Sequence, residues 1–159
     1  HRDLHSFPTR RSSDLVQWMA RLNRDASQAG IACGVRAATD ITGFSFLGHA
    51  LEIAQASSVG LKVQFDQLPF LSGVYAYASQ FIFPGGAFDN RQHFSRQVSF
   101  ARELREDLQM LLYDPQTSGG LLMAVPRERC LHFEATMKDK NAACWQVGEV
   151  VTGSGVDID

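Results

Sequence analysis

Asp40 ends a short apolar run, Val35 to Thr39, and is followed by Ile41-Thr42-Gly43-Phe44 and then Leu47-Gly48-His49. A carboxylate fixed at a strand end, just before a glycine turn and a helix, is well directed to ligate a hard cation such as Mg2+, which takes oxygen donors. The same residues also read as a helix start, with Asp40 or Thr42 accepting its first free N–H groups. On physical grounds alone the cap is the commoner outcome, and the segment leaves both readings open.

A second stretch runs Tyr113-Asp114-Pro115-Gln116-Thr117-Ser118-Gly119-Gly120-Leu121-Leu122. Its glycines let a backbone approach a ligand closely, and its hydroxyl and amide groups can bond phosphate oxygens. No lysine follows at P-loop spacing, and an ordinary helix-to-strand turn is the commoner reading. A third, Pro84-Gly85-Gly86-Ala87-Phe88-Asp89-Asn90, is weak by itself, since Pro-Gly-Gly is common loop punctuation. His49 reads as a surface or hydrogen-bonded histidine. His93 and His132 lack a carboxylate or cysteine at ligand spacing, which leaves zinc and Ser-His-Asp chemistry without support. Arg102 with Glu106, and Arg105 with Asp107, read as solvated helix-face charges.

The elements that must position these groups follow from periodicity. Helix is predicted over Val16 to Ala29, with Met19, Leu22 and Ala26 on one face and Gly30 as its stop. Val35 to Thr39 reads as a strand. Leu47, Leu51 and Ala54 mark a helix from Ser45 to Ser57. Leu61, Val63 and Phe65 alternate with Lys62 and Gln64, which predicts a strand with one buried face. A short helix is predicted over Ser72 to Ser79, a loop over Phe81 to Phe94, and a helix from Ser99 whose stripe Phe100, Leu104, Leu108 and Leu111 is core. Asp114-Pro115 ends it, because proline disfavours α geometry in the residue before it. Leu121 to Val125 reads as a buried strand, and Pro126 starts a helix with Cys130, Phe133 and Met137 on one face. Trp145 to Val151 is a last strand, and Gly153 to Asp159 is a tail or another hairpin. Helices on the faces of a mixed sheet, an α+β fold, suit this order better than a strict parallel winding.

Composition narrows the function classes. The chain has 159 residues, 45% apolar and 20% charged, enough for one domain with a hydrophobic core. A net charge of −2 gives no nucleic-acid footprint, and no apolar run is long enough to span a bilayer. Cys33, Cys130 and Cys144 are too scattered for a zinc site or disulfide framework and read as reduced thiols of a cytoplasmic protein. The opening HRDLHSFPTRRSSDL lacks any apolar period, and its part from His5 to Leu15 resembles a translated sequencing adaptor. Residues 1–15 are therefore expected to be disordered and artefactual, and 16–159 to form the domain. Without them, 12 basic groups face 15 acidic ones and the charge argument stands.

Together, Ala38 to His49, Pro84 to Asn90 and Asp114 to Leu122 resemble, in that order, the C-terminal domain of selenophosphate synthetase (selenide, water dikinase). The last segment matches the family's Asp-Pro-Gln-Thr-Ser-Gly-Gly-Leu-Leu without a change. Aminoimidazole ribonucleotide synthetase, thiamine-monophosphate kinase and a hydrogenase maturation factor share the two-domain architecture but not this combination of motifs. Two positions depart from the family: Ser45, where glycine is usual, and Ala87, where threonine is usual. Ser45 is tolerable if φ there is negative.

The resemblance implies an α+β fold like that of the aminoimidazole ribonucleotide synthetase group. It also implies an activity in which ATP and water phosphorylate selenide to selenophosphate, AMP and orthophosphate. It carries over Asp40 as a Mg2+ ligand. It places the nucleophilic Cys or selenocysteine, its lysine and most ATP ligands in a preceding N-terminal domain, so no catalytic residue is expected in this chain. The full-length protein is expected to be a homodimer, with no nucleic-acid or membrane partner, and the chain alone is expected to be inactive. Two alternatives are another ATP-dependent member of the group and a stand-alone, non-catalytic interaction module.

Overall fold

The computed structural model describes residues 15–159. Apart from Leu15, the segment expected to be adaptor-derived and disordered lies outside the described residues. A helical turn at 15–19 precedes α1 (Arg24–Ala32), β1 (Ala38–Asp40), α2 (Ser45–Ser57) and β2 (Gly60–Val63). Then come α3 (Val74–Ala78), α4 (Gly85–Phe94), β3 (Val98–Phe100) and α5 (Glu106–Leu111). After these follow β4 (Leu121–Met123), α6 (Cys130–Asp139), β5 (Gly148–Val151) and β6 (Gly155–Ile158).

Four strands form a mixed sheet in the order β3-β6-β2-β5, with β6 parallel to both neighbours and β5 antiparallel to β2. The expected α+β arrangement of a mixed sheet with helices holds. It gains a separate two-stranded antiparallel ladder, β1 with β4, in which Asp40 stands opposite Leu121. Leu61, Val63 and Phe65 are buried, as their alternation requires. They meet Leu47, Leu51 and Ala54 of α2 in the main core, with Met110, Tyr113, Val156 and Ile158. A smaller core joins α1 to α6 through Ala29, Cys33, Phe133 and Met137. All three cysteines are free thiols. Among the described residues no helix is long and apolar enough to cross a membrane.

The structure corrects several expectations. The first helix breaks at 21–23 and continues past Gly30 to Ala32. Gly30 serves close packing rather than termination: a Cβ there would lie 2.9 Å from Met123 Sδ of β4. Leu22 is 80% exposed instead of lying on a buried face. The expected loop over Phe81 to Phe94 holds α4, started by the extended Pro84 (φ −68°, ψ 153°). That helix buries only Ala87 and Asn90, so it has no apolar stripe to read. The helix expected from Ser99 is a strand first, because Val98–Phe100 pairs with Val156–Ile158. The segment expected to be a tail or another hairpin is β6, which is enclosed between β3 and β2 and does not pair with β5. Arg105 and Asp107 form a close two-bond pair with Asp107 buried, and Glu106 pairs with Arg91 at 2.6 Å. The Arg105 guanidinium holds the Asp107 carboxyl below the usual carboxylate range.

Candidate functional site

Asp40 ends β1 with its side chain exposed, on the same strand face as Ala38. Neither Asp40 nor Thr42 caps α2. Residue Phe44 takes the capping position with no side-chain bond. The amides of the first turn are served instead by the Leu112 carbonyl, which accepts from Leu47 at 3.3 Å, and by Ser45 Oγ, which accepts from Gly48 at 3.5 Å. The helix-start reading of Asp40 therefore gives way, and its carboxylate is left facing solvent at a rigid strand terminus.

The second motif is stitched onto the first. Gly119 donates to the Ile41 carbonyl at 2.8 Å, Ile41 donates to Gly120 at 2.9 Å, and Gln116 donates to Thr42 at 3.0 Å. These backbone bonds hold the 114–120 connection beside residues 41–42 and use two amides that a phosphate would otherwise want. Gly119 has a steric reason, since a Cβ would come within 2.9 Å of the Ile41 side chain and 3.0 Å of its carbonyl oxygen. Gly120 has a conformational one, with φ at +88°.

The third motif closes the corner. Asn90 is 7% exposed, and its Nδ2 donates to the Gly43 carbonyl at 3.0 Å and the Tyr113 carbonyl at 3.1 Å. Gly86 lies under Pro115, where a Cβ would stand 3.2 Å from the ring. All three motifs thus meet, with α4 bolting residues 43 and 113 together. Ala87 points into the core with no exposed surface, so the threonine usual there is replaced at a packed position and not at a ligand-facing one.

His49 is buried at 7% and hydrogen-bonded at both nitrogens: Nε2 to Thr42 Oγ1 at 3.0 Å and Nδ1 to Glu52 Oε2 at 2.9 Å. Ser45 departs from its expectation. Its φ is +69°, in the left-handed region, where the family's usual glycine is at home and a serine is strained. Asp114 is half-buried, which pushes its carboxyl above the usual range, and Gln116 Nε2 donates to it at 3.0 Å. Tyr113 is 1% exposed with an unpartnered hydroxyl, and burial pushes its pKa up to about 12.

A cleft of about 1110 Å³ is lined by residues 114–125 together with, among others, Ile41, Phe46, Leu61, Phe70 and Phe133. Asp40 is not on its wall. Among the described residues no three His, Cys, Asp or Glu side chains gather where they could hold a metal ion. The donor chemistry of Asp40 suits Mg2+, but one carboxylate is a fraction of an octahedral shell. Sequence reasoning left unseen the bracing role of Asn90 and the Thr42–His49–Glu52 chain. The i, i+3 spacing of His49 and Glu52 is the one signal that could have found the latter.

The mixed sheet with helices, together with the β1–β4 ladder, makes this an α+β domain. The chain matches the family described as AIR synthase related protein, C-terminal domain, over residues 3–159, and it belongs to that family. Within the family it is similar to selenide, water dikinases. It is 35% identical over 147 residues to that of Carboxydothermus hydrogenoformans, covering 92% of this chain and 42% of that protein. It is 38% identical over 140 residues to selenide, water dikinase 2 of Peptoclostridium acidaminophilum, covering 88% and 39%. The chain thus spans about two fifths of the length of the curated relatives it matches. In fold it is similar to the crystal structure of tt0281 from Thermus thermophilus, at TM-score 0.54 and 21% identity over 78% of this chain and 32% of that one.

Proposed function

We propose that this chain supplies the C-terminal part of a selenide, water dikinase, in which ATP and water phosphorylate selenide to selenophosphate, AMP and orthophosphate. The observation that carries this reading is the meeting of the three motifs through Asn90 and the 41–42 to 116–119 bonds, with Asp40 exposed at the ladder's end. Asp40 would be one carboxylate ligand of a Mg2+ ion, whose charge offsets that of the phosphates. The remaining ligands, the nucleotide-binding groups and the nucleophile would come from the rest of the longer protein that the relatives exemplify. This chain's own contribution is to hold that carboxylate on a paired strand and to brace the loops beside it.

The test is a chimera in which residues 16–159 replace the matching part of the Carboxydothermus enzyme, with selenophosphate followed by 31P NMR. The chimera is expected to make selenophosphate, and Asp40→Asn to abolish turnover while leaving the fold intact. A folded chimera without activity would count against the family function, and near-normal turnover by the Asp40→Asn chimera would remove Asp40 from the site. The 159-residue chain alone is expected to bind Mg-ATP negligibly in calorimetry. Micromolar binding would contradict this division of labour.

A further inference from the structure

Thr42, His49 and Glu52 form a continuous chain of side chains over the start of α2. The imidazole bridges Thr42 Oγ1 at 3.0 Å and Glu52 Oε2 at 2.9 Å. A carboxylate only accepts, so His49 Nδ1 carries the proton that bonds Glu52. In the neutral ring Nε2 is then a bare lone pair, and the Thr42 hydroxyl donates to it. This is the order hydroxyl, imidazole, carboxylate, in which an imidazole takes a proton from a hydroxyl and the carboxylate fixes the ring.

The surroundings fit a proton path better than a structural clip. The His49 side chain is 9% exposed, that of Glu52 is 52% exposed, and Thr42 is partly exposed, so a shielded imidazole joins a hydroxyl to a carboxylate that reaches water. The Phe44 ring, 5.7 Å from the imidazole, covers it on one side. Thr42 is not needed as a helix cap, because Ser45 Oγ and the Leu112 carbonyl serve the first-turn amides. Its hydroxyl keeps a lone pair beyond the bond to His49, and its backbone carbonyl ties the 114–120 connection to the strand that ends in Asp40.

We propose that Thr42, His49 and Glu52 form the proton-accepting relay for the water consumed in the reaction. This rests on the function proposed above, in which one phosphoryl group of ATP ends on selenide and another on water. In the water step, the water oxygen forms a bond to phosphorus and the phosphorus–oxygen bond to the AMP phosphate breaks, that oxygen leaving with AMP. The water proton passes to Thr42 Oγ1 as the Thr42 proton passes to His49 Nε2. Glu52 stabilises the resulting imidazolium and opens it to solvent. Orthophosphate and AMP leave, and a proton returns to bulk water.

Two experiments test this separately from the family function. In the 159-residue chain, 15N NMR of labelled histidine is expected to show a protonated Nδ1 and a bare Nε2 for neutral His49. A proton on Nε2 overturns the relay whatever the chain's activity. In the chimera, Thr42→Val is expected to slow AMP and orthophosphate release about 100-fold, the usual span for a lost proton acceptor. Selenophosphate formation then continues with ADP as the accompanying product, Glu52→Gln shows a smaller loss of the same kind, and Thr42→Ser restores AMP release. Parental AMP release by Thr42→Val, or an equal fall in selenophosphate and AMP, overturns the relay. An inactive parent chimera faults the family function and the relay's part in it together, whereas an active parent whose Thr42→Val variant keeps parental AMP release faults the relay alone.

Discussion

Where β2 meets β6, Leu61 stands beside Val156 and Val63 beside Ile158, all four buried, while Lys62 and Asp157 share the opposite face. The corner joining residues 40–45, 90 and 113–120 has no such repetition. It is held by one amide side chain on two carbonyls, by backbone bonds across loops, and by Gly119, which has no room for a methyl group. The sheet distributes its stability over many apolar contacts, each replaceable by a similar volume. The corner concentrates it in a few polar and steric fits with no substitute residue. A region that leaves a carboxylate and hydroxyls unburied cannot be held by apolar packing alone, so it trades redundancy for accessibility.

One substitution challenges the tolerance claimed for the sheet. Gly148 in β5 lies against the Lys62 carbonyl, and a Cβ would stand 2.9 Å from Val63 Cα. Gly148→Ala is expected to cost about 3 kcal/mol by forcing β5 from β2, the upper end for overpacking. Urea unfolding measures it, and a loss below about 1 kcal/mol would show that the sheet can yield there. Next comes the corner's bolt. Asn90→Ala leaves two carbonyls without their donor and is expected to cost about 2–3 kcal/mol. An unchanged denaturation midpoint would mean that water replaces the amide, and the contrast between the regions would fail.

Smaller effects sharpen the contrast. Ser45→Gly removes left-handed strain at a buried position and should raise stability by about 1 kcal/mol, less the weak bond to the Gly48 amide. Tyr113→Phe deletes an unpartnered buried hydroxyl and should leave stability level or raise it by up to about 1 kcal/mol. The pH dependence has a definite sign. Since burial pushes the phenol from 10.0 to about 12, the unfolded chain loses that proton first, and stability falls as pH rises between these values. The phenylalanine variant should lose less over that window in alkaline melts, and identical slopes would place the hydroxyl in contact with water.

Legibility follows the same divide. The bounds of α2 agree with the reading from Leu47, Leu51 and Ala54, and β2 announces itself by alternation, because a buried face repeats. Asp40 at a strand end was legible from its position between an apolar run and a glycine turn. Helix α4 was not, since it buries one alanine and one asparagine. Strands β3 and β6 are three and four residues long, and a parallel pairing leaves no local turn signal. Asn90 finds its partners 47 and 23 residues away, on backbone carbonyls that carry no side-chain identity. The left-handed φ of Ser45 was hidden because serine does not advertise it as glycine does.

Strand β6 is made after every other strand of its sheet yet lies between β2 and β3, so it is the keystone of a course whose neighbours were laid long before. During synthesis those neighbours wait with open edges, for β2 over roughly ninety residues. Such long-range parallel closure is slow and leaves the nascent chain prone to wrong pairing. Quality control in the cell would therefore see this sheet as unfinished until β6 has left the ribosome.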